Sequence, residues 1–538
     1  MPAMKTLFCL TFQVTLLTTL LPVSAQPGPP YNDAVAARFP APAQRYETPG
    51  LQPGRSTFTS NDELAAFVAA LARTPGVRRL APGLSQRGTP IEALHFSRGP
   101  GRPVVLLVGQ QHGDEPAGSE ALLVVARELA GGSLAPLLDR IDVLVLPRAN
   151  PDGAEFGQRV SVNGNDINRD HLLLRTPEAA AQAALVREFA PQLVVDAHEH
   201  TVVGRYLEKF GAIQRYDMLL QYAMTANLPP ALTQASETMF FVPLRQALDR
   251  ERLSHEWYYT NPTTPGDLRL SMGGVQPDTA RNVQGLKNAV SVLLESRGVG
   301  IGRLHAGRRV HSHVVAVRSL LQSAADNAVA LLALRQTLAQ QVGAAACEGQ
   351  VTVLATQTPL QRELLMLDPE TGADKAVAVQ WNSSLALRPL VMRPRPCGYW
   401  LAADAADPVA RLRALGVAVQ QLPAALDLRA ETWRETARGE AERGDVRGRI
   451  ADSQTIVQVT VATEATTLAA PAGSFYIGLD QPLANLVVAA LEPDTQNSYF
   501  ANRLLPSLRS AARVLQRPDF SAGATRLTRP EASPERRE

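Results

Sequence analysis

The feature that most constrains this chain is an alternation beginning at Pro103, in which short apolar runs are separated by stretches with helical spacing. Val104 to Val108 precedes a helical pattern from about Gly118 to Leu129, and Val143 to Leu146 follows. A second helical pattern from about Glu178 to Phe189 leads into Leu193 to Val195, and Ala289 to Leu294 closes the series. Continuously apolar strands separated by helices predict a largely parallel sheet covered on both faces, an α/β architecture. Ligands of such sheets bind beyond the carboxyl ends of the strands, so the residues after each apolar run carry the chemistry.

Those residues are consistently polar. The first run is followed by Gln110-Gln111-His112-Gly113-Asp114-Glu115 and the second by Asn150-Pro151-Asp152-Gly153 and Asn165-Asp166-Ile167-Asn168-Arg169-Asp170. The third gives way to Asp196-Ala197-His198-Glu199-His200, and the last ends in Glu295-Ser296-Arg297. His112 and Glu115, three apart, can share one cation. With nine histidines in the chain, chance supplies about 0.4 such His-x-x-Glu pairs at ordinary acidic usage, so the pair alone is weak. His198, after a separate strand, completes a His-Glu-His set with room for a water, the ligand count of a catalytic zinc site. His200 is a further ligand or a supporting group, depending on the turn there. His311 and His313 have no evident carboxylate partner.

The order His112-x-x-Glu115, Asn150-Pro151-Asp152-Gly153, Asn168-Arg169, His198 and Glu295 resembles the zinc carboxypeptidases of the carboxypeptidase A type, over roughly Thr57 to Leu320. The resemblance implies an α/β/α sandwich on a largely parallel mixed sheet, with one Zn²⁺ per chain held by His112, Glu115 and His198. It further implies Asn168 and Arg169 gripping the terminal carboxylate of a peptide substrate, Arg159 polarising the scissile carbonyl, and Glu295 as general base for the attacking water. An arginine suits the anchor because its planar fork matches a carboxylate. The sequence departs from the family pattern at Asp170, where a second Asn is common, and at Glu199-His200, which replaces a frequent Ser-Tyr. The tyrosine expected before the general base is not obvious. Tyr258 and Tyr259 lie upstream of it, and Tyr259 is assigned to substrate binding.

His112-Gly113-Asp114-Glu115-Pro116 also looks like the metal motif of deacylases of the aspartoacylase and succinylglutamate desuccinylase kind, which act on N-acyl amino acids. A non-catalytic cell-envelope binding module is the third reading. The intact ligand set and Glu295 argue for an enzyme.

The remaining segments set the context. Lys5 followed by the apolar stretch Leu7 to Leu21 and the small residues Val23-Ser24-Ala25 predicts a signal peptide over 1–25, cleaved after Ala25, with a periplasmic or secreted product and no membrane anchor left. Its removal takes Cys9 and leaves Cys347 and Cys397 as an even pair, expected as a disulfide in an oxidising compartment. The other expected boundaries are a Pro/Gly-rich extended lead-in over 26–55, a catalytic domain over 56–320 and a helical connector over 321–344. A smaller C-terminal α+β domain over 345–520 and a mobile tail over 521–538 complete the chain. A formal net charge of only +2 over 538 residues and the absence of a dense basic cluster exclude nucleic acid as an expected partner.

Overall fold

The computed structural model describes residues 30–442 and 455–520; the predicted signal peptide and the C-terminal tail lie outside them. Among the described residues, ten strands precede residue 300. In chain order they are β1 (Val77–Leu84), β2 (Pro90–Phe96), β3 (Val104–Gly109), β4 (Asp142–Leu146), β5 (Leu193–Thr201), β6 (Met218–Tyr222), β7 (His255–Trp257), β8 (Tyr259–Thr260), β9 (Arg269–Met272) and β10 (Val290–Val299). Eight of them form one mixed sheet in the order β1-β2-β4-β3-β5-β10-β6-β7. Its centre, β4-β3-β5-β10, is parallel, and antiparallel pairs flank it.

Side-chain alternation along these strands builds the layers. Val105 and Leu107 of β3 pack with Leu122, Leu123 and Leu129 of the helix Pro116–Gly131 and with Val317 and Leu320 of Ala306–Asp326. Leu106 and Val108 point the other way, onto Ala181, Leu185 and Val186 of Pro177–Phe189. A strand with helices on both faces has no polar side, which is why its sequence is a continuous apolar run. The α/β/α arrangement expected from the sequence is present.

The sheet also begins earlier than the apolar runs indicated. β1 is an edge strand with mostly exposed or half-buried residues, a register shift between Leu80 and Gly83, and Pro82 inside it. Such a strand carries no apolar alternation for a sequence reading to find. Ahead of it, Ser60 and Glu63 cap the helix Asn61–Leu71 reciprocally, as their spacing predicts.

Downstream, the helix Ala328–Ala344 leads to two long strands, β11 (Gln350–Leu367) and β12 (Asp374–Pro394), paired antiparallel. β12 joins β9 in parallel, with Trp381 level with Leu270, so this hairpin completes a sheet with β8 and β9 of the preceding region. A third sheet follows, made of β13 (Gly398–Leu401), β14 (Gln420–Gln421), β15 (Leu426–Glu442), β16 (Thr455–Ala470), β17 (Phe475–Gly478) and β18 (Ala511–Val514). The segment expected as one mixed domain thus divides its strands between a four-stranded sheet shared with β8 and β9 and a six-stranded sheet of its own.

Cys347 and Cys397 are joined by a disulfide across 50 residues, which ties the end of the connecting helix to the start of β13. Loop-closure entropy for a ring of that size corresponds to about 4 kcal/mol. Replacing both cysteines with serine is therefore expected to lower stability by up to about that much, read as a lower unfolding midpoint in denaturant. An unchanged midpoint in the double variant would remove the bridge from the stabilising contacts.

Candidate metal and substrate site

After β3 the chain turns through Gln110, at a positive φ of 50°, and presents His112 before the helix Pro116–Gly131 opens; Glu115 stands at that helix's cap position. The turn is held tightly. Asn150 accepts from Gly153 N (2.8 Å) and donates to the Gln111 carbonyl (3.2 Å), and a Cβ on Gly113 would lie 1.9 Å from the Gly153 backbone. Glycine is needed there because two backbones pass at contact.

His198 lies within β5, two strand positions beyond Asp196. Its Nδ1 is 2.7 Å from Glu115 and 3.0 Å from His112 Nδ1, and His112 Nδ1 is 2.9 Å from Glu115. One ligand atom from each of the three residues falls within 4.8 Å of the others, and all three residues are buried. The far nitrogens are also held: His112 Nε2 meets Asp166 at 3.1 Å and His198 Nε2 meets Asp196 at 3.0 Å. A carboxylate on the outer ring nitrogen fixes the orientation of an imidazole and makes its inner nitrogen a better metal donor. The donor set therefore fits one zinc ion, with nitrogen and carboxylate ligands and both histidines oriented from behind.

Charge within the cluster is balanced only internally. Burial would raise the Glu115 carboxyl, but His112 and His198 hold it well below the usual range. Burial would lower His198, yet Asp196 and Glu115 hold its imidazolium well above the usual range. Two buried imidazoles and a carboxylate in mutual contact are where a divalent cation would replace protons.

Glu295 sits in β10, which pairs with β5 so that Glu295 is level with His198. It has no ion pair among the described residues. The neighbouring Arg297 is occupied elsewhere, donating to the Gln214 carbonyl at 3.2 Å and stacking 3.4 Å over the Phe39 ring. Burial pushes the Glu295 carboxyl up to about 7. His200 Nδ1 contacts the Glu295 carbonyl at 3.1 Å and His313 Nε2 contacts the His198 carbonyl at 3.1 Å, so both steady backbone at the site. His311 is remote from it, 2.8 Å from the Tyr46 hydroxyl.

Arg159 donates to Glu115 (3.0 Å) and to Asp166 (3.1 Å), which fixes its guanidinium at the edge of the donor set. Asn168 Nδ2 lies 3.2 Å from His198 Nε2, and the Asn168 side-chain oxygen accepts from Ala280 N (2.8 Å). Arg169 donates to the Asn168 carbonyl (2.8 Å) and lines the same cavity. The two departures from the family pattern are structural. Asp170 accepts from Arg175 N, Thr176 N and the Thr176 hydroxyl, and Glu199 pairs with the buried Arg309 at 2.5 Å.

The cavity contains two adjacent tyrosines with different surroundings. The Tyr259 hydroxyl donates to Gln214 (2.5 Å), and its ring packs on Tyr206 and Trp381. Tyr258 is the one exposed to the charges of the site: burial raises its hydroxyl pKa, Glu295 adds to that, and Arg169 and Arg281 oppose it. Consecutive residues of an extended segment point to opposite sides, and the sequence alone could not tell which of the pair faces inward. Sequence reading also missed Arg281 and Gln357. Gln357 of β11 donates to the Met272 carbonyl, and Ser384 of β12 donates to the Gly273 carbonyl, at 2.8 and 3.0 Å. The long hairpin thus holds the Met272–Gly274 side of the cavity.

Over residues 64–295 the chain matches the zinc carboxypeptidase family. It is 28% identical to carboxypeptidase 2 of Trichophyton equinum across 88% of this chain and 91% of that protein. It is 29% identical to carboxypeptidase 2 of Trichophyton rubrum across 75% of this chain and 74% of that one. A solved metallo-carboxypeptidase from Pseudomonas aeruginosa aligns with 50% of this chain and 69% of its own at 22% identity and a TM-score of 0.38. The stretch matched to the family runs through every residue of the donor set and ends at Glu295, so residues 64–295 carry a zinc carboxypeptidase domain, the hydrolase of peptide bonds within this chain.

Proposed function

We propose that this protein removes single residues from the free C-terminus of peptides, using one zinc ion per chain held by His112, Glu115 and His198. The observation that supports this reading best is the register of β5 and β10, which sets the Glu295 carboxylate level with a ligand of the donor set. When bound, zinc polarises a carbonyl and lowers the pKa of a water beside it toward 7. Glu295 takes a proton from that water on a carboxylate oxygen and hands it to the leaving nitrogen, so the peptide C–N bond breaks as the C–O bond forms. Burial raises the Glu295 carboxyl above the usual carboxylate range, which makes it a stronger base for that transfer.

Arg159 donates to the carbonyl oxygen as negative charge develops there, held ready by Glu115 and Asp166. Arg169 and Asn168 take the terminal carboxylate, and that charge requirement makes the enzyme an exopeptidase. Tyr258, rather than Tyr259, is the tyrosine that meets the substrate. No helix among the described residues is long and apolar enough to cross a membrane. The N-terminal segment and the disulfide support export to the periplasm or the medium.

Matched peptides with free and amidated C-termini test this, followed by mass spectrometry on the purified protein. The expected result is stepwise loss of one residue from the free acid and at least about 100-fold slower trimming of the amide, in line with a site built around a charge it no longer finds. Cleavage of N-acyl amino acids without peptide trimming would transfer the protein to the deacylases. Zinc-loaded protein that cleaves neither would leave a binding module.

A further inference from the structure

Arg281 is the second residue of the helix Ala280–Leu286 and lines the cavity shared by Glu295, Arg169 and Tyr258. It is only 4% exposed. Its Nη2 donates to the Gly274 carbonyl at 2.7 Å, while its Nε has no partner. No carboxylate pairs with it among the described residues, whereas Arg159 in the same cavity has two. Burial without a counter-ion lowers the Arg281 guanidinium to about 10. Two residues earlier and in the same cavity wall, Thr279 is 2% exposed and its hydroxyl also lacks a partner. Gly273 keeps the space open, since a Cβ there would lie 2.7 Å from Arg281 Nη2.

A buried cation with an unused donor is a poor contributor to stability and a strong attractor for an incoming anion. We propose that Arg281, assisted by the Thr279 hydroxyl, receives the side-chain carboxylate of the residue being released, so that the enzyme prefers peptides ending in glutamate or aspartate. This rests on the reading above, in which Arg169 takes the α-carboxylate. An acidic terminal residue brings two carboxylates to two guanidinium groups. A basic one meets repulsion, and an apolar one leaves Arg281 unmatched.

The test uses the full zinc-loaded chain and four peptides identical except for a final Glu, Gln, Leu or Arg, with kcat/KM measured for each. The expected wild-type preference for Glu over the isosteric Gln is about 10- to 100-fold, the order of discrimination set by losing a charged hydrogen bond in a buried site. Arg281→Met is expected to bring Glu down to the level of Gln while leaving Leu unchanged or improved. Thr279→Val, which keeps the guanidinium, is expected to reduce the Glu to Gln ratio more mildly. A wild type indifferent to the last residue would overturn the inference, and so would Arg281→Met lowering all four peptides in proportion, which marks a structural role or a grip on the α-carboxylate. If Arg281→Met fails to fold, the wild-type ratio and Thr279→Val still decide. Failure to trim any of the four peptides would overturn the carboxypeptidase reading itself, a result distinct from trimming without acidic preference.

Discussion

Glu295→Gln is expected to lower kcat by about 10²- to 10⁴-fold, the range for losing a positioned general base, while zinc content and fold stay as they are. Glutamine fills the same volume in β10 and preserves the backbone pairing that sets residue 295 beside His198. It cannot take a proton from water. The donor set of His112, Glu115 and His198 does not include it, so metal content measured on the same sample separates loss of chemistry from loss of zinc. The pH profile gives a second readout. The base works ionised, so activity falls as pH drops through its pKa. Burial is the largest cause raising that pKa, to about 7, and the charge of bound zinc draws it lower. The acid limb of kcat/KM is therefore expected below pH 7 in the wild type and absent in the variant. A Glu295→Gln protein that keeps its zinc and more than a tenth of its kcat would move the base role to another residue.

His198→Ala is expected to abolish zinc retention on dialysis and with it all measurable hydrolysis. It deletes one of the three proposed ligands and leaves the Glu115 and Asp196 carboxylates buried without the imidazole that lowers their pKa. Asp196→Asn is the graded counterpart. It keeps every direct ligand and removes the carboxylate 3.0 Å behind His198, for which a loss of about 10- to 100-fold in zinc affinity is expected. Chelation of the wild type should act in the same direction on stability, because a metal bound only by the folded state raises the melting temperature with its concentration. Equilibrium dialysis followed by elemental analysis checks both variants. Full zinc occupancy in His198→Ala would show that the ion sits elsewhere.

Much of the site was legible in the sequence because its parts are local signals. Runs such as Val104 to Val108 and Val290 to Leu294 are apolar because both faces of the central strands are covered, and burial on both sides leaves a mark that needs no tertiary knowledge. The chemistry follows those runs because a parallel sheet exposes the ends of its strands together. His112, Glu115, His198, Arg159, Asn168, Arg169 and Glu295 all border one cavity or its donor set. The edge strand β1 was illegible for the complementary reason. With Pro82, a bulge and little burial, it has no period to read.

What the sequence by itself determined is therefore the inventory: central strands, the residues that follow them, a His-Glu-His donor set and an even pair of cysteines. Only the tertiary structure decided how these meet. The register of β10 on β5 sets Glu295 beside His198 across 97 positions of chain, and no local spacing encodes a pairing between distant strands. Whether Tyr258 or Tyr259 faces the charges depends on the pleat of one short segment. The wall around Met272–Gly274 comes from a hairpin some 80 to 110 residues downstream, and only the packing of the cavity leaves Arg281 Nε buried without a partner among the described residues. Periodicity reports what a residue's own element buries; contacts between elements are settled only when side chains from distant parts of the chain compete for the same space.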